Sequence, residues 1–100
     1  MNNIDLNILR DTLPQFSPTA LKTFITIAFN VNENRQTQIS VEDLSKQAGM
    51  TKNIVARALN DLDKILINNR RVITRECRYV RGRRTNNIYT IFPDQQEGAR

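Results

Sequence analysis

Two helix-start signals stand eleven residues apart in the stretch SVEDLSKQAGMTKNIVARALNDL, and the chain has almost no length between the two helices in which to turn. Ser40 is an N-cap candidate with Asp43 three residues on, the pairing of a capping box, in which orphan backbone N–H groups at the helix start find side-chain acceptors. Val41, Leu44 and Ala48 then fall on one face, and Gly49 offers the left-handed stop that closes a helix of barely two turns. Only Met50 separates that glycine from the next cap, Thr51. From there the period predicts a helix running to about Ile65, with Val55, Leu59, Leu62 and Leu66 on its buried side and Ala58 beside them. A short helix must meet a longer one across a very tight turn.

That is helix-turn-helix geometry. It leaves Thr51, Lys52, Asn53, Arg57 and Asn60 facing away from the buried side, and these side chains can donate to phosphates or base edges. Position after a tight turn favours base contact over an ordinary solvated helix face, because proteins of this geometry read bases from the start of the second helix.

Upstream, SPTALKTFITIAF carries the first firm start signal. Ser17 can cap, and Pro18 fits the first helical position, where its missing N–H costs nothing. Leu21, Phe24, Ile25 and Ala28 predict the core face of a helix ending near Phe29. Residues 2–13 predict a short helix with Ile4, Ile8 and Leu9 on one side, stopped by Pro14. Between Val31 and Ile39 no apolar residue occurs, so this stretch reads as a surface loop.

Beyond INNRR the period shifts from 3.6 toward 2. VITRECRYV and NIYTIF are rich in β-branched and aromatic residues, with RGRRTN between them, so a β-hairpin is expected. Ile73, Cys77 and Tyr79 would share one strand face. Arg75 falls on that face too, which predicts a bulge or an arginine stem lying over the core with its head in solvent. The fifteen residues from Arg70 to Arg84 hold seven arginines against Glu76 alone. The bland explanation is a solvated face, or charge that deters edge-to-edge strand pairing. Guanidinium forks suit phosphates and guanine edges, so nucleic acid is the stronger reading.

The charge distribution agrees with it. Net charge is +5; residues 1–50 carry four basic and five acidic side chains, whereas residues 51–100 carry eleven and five. The positive field belongs to one half, as expected for a polyanion docked on one side. At 100 residues the chain is long enough for one domain and one modest core. One cysteine excludes an intrachain disulfide, and the lack of histidine removes the common zinc arrangements. Cys77 reads as a small apolar strand residue. Glu42 with Asp43 suits a helix N-terminus, and Asp61 with Asp63 a solvated helix end. No nucleophile stands beside a base, so no catalytic residue, cofactor or metal is expected. With no basic leader or long apolar run, the expected setting is the cytoplasm.

From Ser40 to Phe92 the chain resembles the winged helix-turn-helix domains of bacterial plasmid, phage and mobile-element DNA-binding proteins, among them replication initiators, conjugation accessory proteins and small transcription regulators. Leu44, Ala48, Gly49, Met50 and Val55 fall where that motif keeps its apolar residues and turn glycine, and Asn87 with Tyr89 matches the start of the last wing strand. Ser45 stands where alanine is usual. Ile65 and its neighbours stand where many members have a helix-ending glycine, which implies a longer helix and a shifted wing. The resemblance implies an α+β fold of about three to four helices followed by a two-stranded β-hairpin wing. It also implies duplex binding, with the Thr51 helix in the major groove and the hairpin against backbone or minor groove. The wing contacts would come from Arg70, Arg71, Arg75, Arg78, Arg81, Gly82, Arg83, Arg84 and Asn86.

The expected organisation is an N-terminal arm over 1–16, the DNA-binding domain over 17–93 and a disordered tail over 94–100. The expected partner is double-stranded DNA at a specific plasmid or mobile-element site: an origin, a transfer origin or an operator. A homodimer formed through residues 1–16 or the Ser17 helix is also expected, with replication or transfer proteins as further partners. The alternatives are a winged-helix protein-interaction module, disfavoured by so basic a wing, and RNA binding, disfavoured modestly by the expected absence of exposed aromatics for stacking.

Overall fold

A computed structural model of the chain describes residues 10–67, 69–77, 79–84 and 86–93. Of the expected helix over 2–13, residues 2–9 lie outside them, as does the tail over 94–100; residues 10–12 are helical and run on into a 3-10 turn, Leu13–Gln15, so Pro14 sits inside this turn instead of stopping the helix before it. The architecture is α+β: helices α1 (Pro18–Asn30), α2 (Val41–Ala48) and α3 (Lys52–Leu62), with short antiparallel strands β1 (Gln36–Gln38), β2 (Leu66–Ile67), β3 (Arg70–Arg71), β4 (Ile73–Glu76), β5 (Tyr79–Val80), β6 (Arg83–Arg84) and β7 (Ile88–Ile91).

Each of α1, α2 and α3 begins where a hydroxyl caps it. Ser17 Oγ accepts from Ala20 N at 3.2 Å, Ser40 Oγ from Asp43 N at 3.0 Å and Thr51 Oγ1 from Ile54 N at 3.2 Å. Each cap satisfies a backbone donor that the helix cannot, a contribution of about 1 kcal/mol. Gly49 closes α2 at φ 69°, and the Met50 amide returns to the Ser45 carbonyl at 3.0 Å. Three residues therefore connect α2 to α3.

The core gathers Ala20, Phe24 and Ile27 of α1, Leu44 of α2, Val55, Leu59 and Leu62 of α3, and Ile73, Tyr89 and Ile91 of the sheet. Phe24 is its aromatic hub, 5.4 Å from Phe16 and 5.6 Å from Phe92, ring centre to ring centre. The buried face of α1 differs from expectation. Ala20, Thr23, Phe24, Ile27 and Ala28 point inward, while Leu21 and Ile25 are only half-buried and the helix continues to Asn30. Apolar residues occupy two adjoining stripes of this helix, so periodicity alone could not centre the buried one.

Residues 31–38 are not wholly loop. Asn32 Oδ1 accepts from the amides of Asn34 and Gln36, folding a turn in which Arg35 takes φ 63°. The chain then enters β1, an edge strand made of Gln-Thr-Gln, which pairs Thr37 with Tyr89. The sheet is therefore three-stranded, in the order β1-β7-β4, with Ile73 opposite Ile91 and Glu76 opposite Ile88. The two-stranded expectation missed β1 because strand pairing, not apolar alternation, holds it.

The exit from α3 differs too. The helix ends at Leu62 rather than near Ile65, the turn over Asp63 and Lys64 buries Ile65, and Leu66 is 43% exposed in β2. No glycine is needed for this ending, because Asp63 keeps right-handed helical angles at the cap. β2 pairs with β3 in a small hairpin of its own, Leu66 against Arg71. Arg70 and Arg71 thus precede the main hairpin instead of starting its arm. Of the expected N-terminal arm, three described residues anchor to the body: Thr12 is buried, Phe16 packs against the core, and the Gln15 amide both donates to Leu66 O at 2.7 Å and accepts from Leu66 N at 3.2 Å.

Candidate functional site

The outward face of α3 presents Thr51, Lys52, Asn53, Arg57 and Asn60, all exposed. Thr51 and Lys52 begin the helix, where unpaired backbone N–H groups and the helix dipole favour an anion. Lys52 Nζ stands 3.9 Å from Glu42, which Lys46 approaches at 3.3 Å; all three side chains are more than half exposed, so neither pair holds its lysine firmly. Ile54, 37% exposed on the same first turn, is an apolar contact that a search for donors overlooks.

Asn60 sits about 12 Å further along the axis at 1.5 Å per residue. There it meets the hairpin. The Arg75 guanidinium, carried by β4, donates to Asn60 Oδ1 at 3.2 Å and to Asp63 Oδ2 at 2.5 Å, and the Arg75 and Asp63 side chains are only 28% and 27% exposed. The arginine stem lies against the body as anticipated, yet its head turns to α3 and not to open solvent. This clamp ties the hairpin to the end of the helix.

Past Glu76 the hairpin leaves the main sheet. Two residues, 77 and 78, separate its ladders on the first arm and three, 85 to 87, on the second; this two-against-three offset bends a ribbon and increases its twist. Beyond it, β5 and β6 form a separate two-stranded ladder, Tyr79 opposite Arg84 and Val80 opposite Arg83. Arg81 and Gly82 turn the tip with φ 53° and 78°, both left-handed, as a two-residue type I′ hairpin turn requires. Open space surrounds Gly82.

Arg81 and Arg83 are exposed at this tip, Arg70 and Arg71 are exposed on β3, and Asn86 is exposed with its carbonyl accepting from Gln38 Nε2 at 3.2 Å. Arg84 is placed by its backbone pairing, and Arg78 lies outside the described residues. Cys77 is exposed between the two ladders, not buried on a strand face. Tyr79 and Val80, 67% and 58% exposed, were not among the expected site residues, and Tyr79 together with Phe29 corrects the expectation that no aromatic ring is exposed. The signal was present: adjacent strand residues face opposite ways, so one thin hairpin cannot bury both.

Among the described residues no group of His, Cys, Asp and Glu assembles as a metal site, and no helix is long and apolar enough to cross a membrane. Compared with family models, curated proteins and solved structures, the chain finds no match.

Proposed function

We propose that this chain is a winged helix-turn-helix protein that binds a specific double-stranded DNA site on a plasmid or mobile element, with α3 as the recognition helix and the β4–β7 hairpin as the wing. The observation that carries the reading is the pairing of two exposed donor sets, Lys52, Asn53 and Arg57 on α3 and Arg81 with Arg83 at the tip, on elements joined by the Arg75–Asp63 clamp. A helix of this size enters a major groove, and an arginine-bearing hairpin suits the adjoining phosphates or minor groove. Arg75 acts here as a positioning residue, because its guanidinium is engaged by α3. The protein works without catalysis, marking or shaping an origin, transfer origin or operator and recruiting replication or transfer proteins.

The test is affinity against salt on a duplex retrieved by the chain from a random pool. Neutralising about five to seven phosphates should give a log–log slope of roughly −4 to −6, and a flat response would exclude the electrostatic mechanism. Replacing Asn53 or Arg57 with alanine should cost about 1–3 kcal/mol on that duplex and much less on random DNA, if each reads a base.

A second reading, a protein-interaction module, draws on one observation. Between α1 and α2 lies a groove of about 260 Å³ lined by Lys22, Ile25, Thr26, Phe29, Gln47 and Ala48, with Phe29 68% exposed. The homodimer we propose uses this side of α1 and leaves α3 and the wing to DNA. Sedimentation showing a monomer both free and on DNA would remove the dimer.

A further inference from the structure

Tyr79 and Val80 need an explanation that the arginines do not supply. Exposed apolar side chains scattered singly over a surface are ordinary. These two are adjacent, sit at the end of a hairpin that has left the main sheet, and stand directly before Arg81, with Val80 across from Arg83 and Tyr79 across from Arg84. A two-stranded hairpin is marginal in water by itself, and this one shows an aromatic ring on one face and a branched aliphatic chain on the other. Its surroundings are cationic, which selects a polyanion as the surface that covers it.

Resting on the proposed duplex binding, we infer that the tip of the wing is an apolar wedge: Tyr79 and Val80 enter the minor groove with Arg81 and Arg83 and force the duplex open and bent. The dimensions require the deformation. A B-form minor groove is about 6 Å wide, whereas a β-ribbon with side chains on both faces is about 10 Å thick, judged by the spacing of packed sheets. The ribbon enters only if the groove widens, and apolar side chains pressed between base steps bend DNA toward the major groove. Tyr79 and Val80, one on each face of the ribbon, hold the groove apart and press on the base step beneath the tip, while the arginines hold the phosphates at the rim. Part of the specificity is then indirect. Sites with a flexible pyrimidine–purine step under the wing are selected, because they cost least to deform.

The experiment uses the full chain and a duplex of about 30 base pairs that the wild type retrieves from a randomised pool, labelled at both ends for energy transfer and carrying 2-aminopurine at the step beneath the wing. Wild type should shorten the end-to-end distance and raise the 2-aminopurine fluorescence. Tyr79→Ala with Val80→Ser should weaken binding roughly tenfold or more and remove most of the bend. The salt slope should stay unchanged, since no phosphate contact is lost. Tyr79→Phe should keep the bend, because the ring and not its hydroxyl does the work. Equal bending by wild type and the double variant overturns the wedge and leaves the duplex reading standing. Tighter binding to the isolated single strand than to the duplex, lost with Tyr79→Ala, overturns it in favour of stacking on unpaired bases. A wild type that retrieves no duplex overturns the proposed function and the wedge with it.

Discussion

The base and the tip of the hairpin are built from similar residues and treated oppositely. At the base, Tyr89 is fully buried in the central strand and Arg75, its partner in register, is turned back onto Asp63. At the tip, Tyr79 lies open to solvent and Arg81 and Arg83 are exposed. Residue type is therefore a poor guide to role along this hairpin. What separates the two ends is the offset beyond Glu76: before it the ribbon belongs to a sheet with a core beneath, and after it, among the described residues, β5 and β6 pair with each other in a ladder of their own.

The sharpest break of that contrast is in stability. Tyr89→Ala should cost about 3–5 kcal/mol by cavity formation, read as a lower urea midpoint, while Val80→Ala should change stability by no more than about 0.5 kcal/mol. Comparable losses at both positions would mean that the tip packs on the body. Next comes binding. Arg81, Arg83 and Arg84 changed together to alanine should abolish detectable binding at moderate salt and make the salt slope shallower by about 2 to 3, whereas a triple change at the exposed Arg10, Lys22 and Lys64 should leave the slope nearly untouched. Equal effects would reduce the wing to a generic basic surface. The smallest and most informative change is Asp63→Asn. It should lower stability by about 1–2 kcal/mol, raise affinity for random DNA by removing a negative charge, and lower the ratio of specific to non-specific binding as the wing loses its anchor. A ratio that holds in competition binding would show that the clamp serves stability alone.

What was legible in the sequence was mostly local. Ser17, Ser40 and Thr51 each declare a helix start through a bond to a residue three positions on, and Gly49 declares a stop through its own backbone angles, so the α2–α3 unit could be read directly. The exposed donors of α3 followed from the same periodicity. What escaped was held by distant partners. β1 is polar throughout and becomes a strand because residues some fifty positions later pair with it. The Asp63–Arg75 clamp joins two side chains that sequence reasoning assigned to a solvated helix end and a nucleic-acid surface, and only the path of the chain after Leu62 brings them together. The early end of α3 likewise depends on burying Ile65 beneath Val72, whose amide donates to the Ile65 carbonyl at 3.3 Å.

The strand order β1-β7-β4 also sets a schedule for folding. The middle strand comes last in the chain, so neither β1 nor β4 has its neighbour until residues 88 to 91 arrive. The helices, capped locally, can associate first, but they do so over a floor that lacks Tyr89 and Ile91. A chain in which β7 has not yet docked holds its helices together without the sheet that completes their core. Closing that sheet joins segments about fifty residues apart, a slow kind of step for so small a domain. Until it is taken, the edge of β4 and the apolar undersides of the helices stand open together, the combination that makes a partly folded chain prone to aggregate.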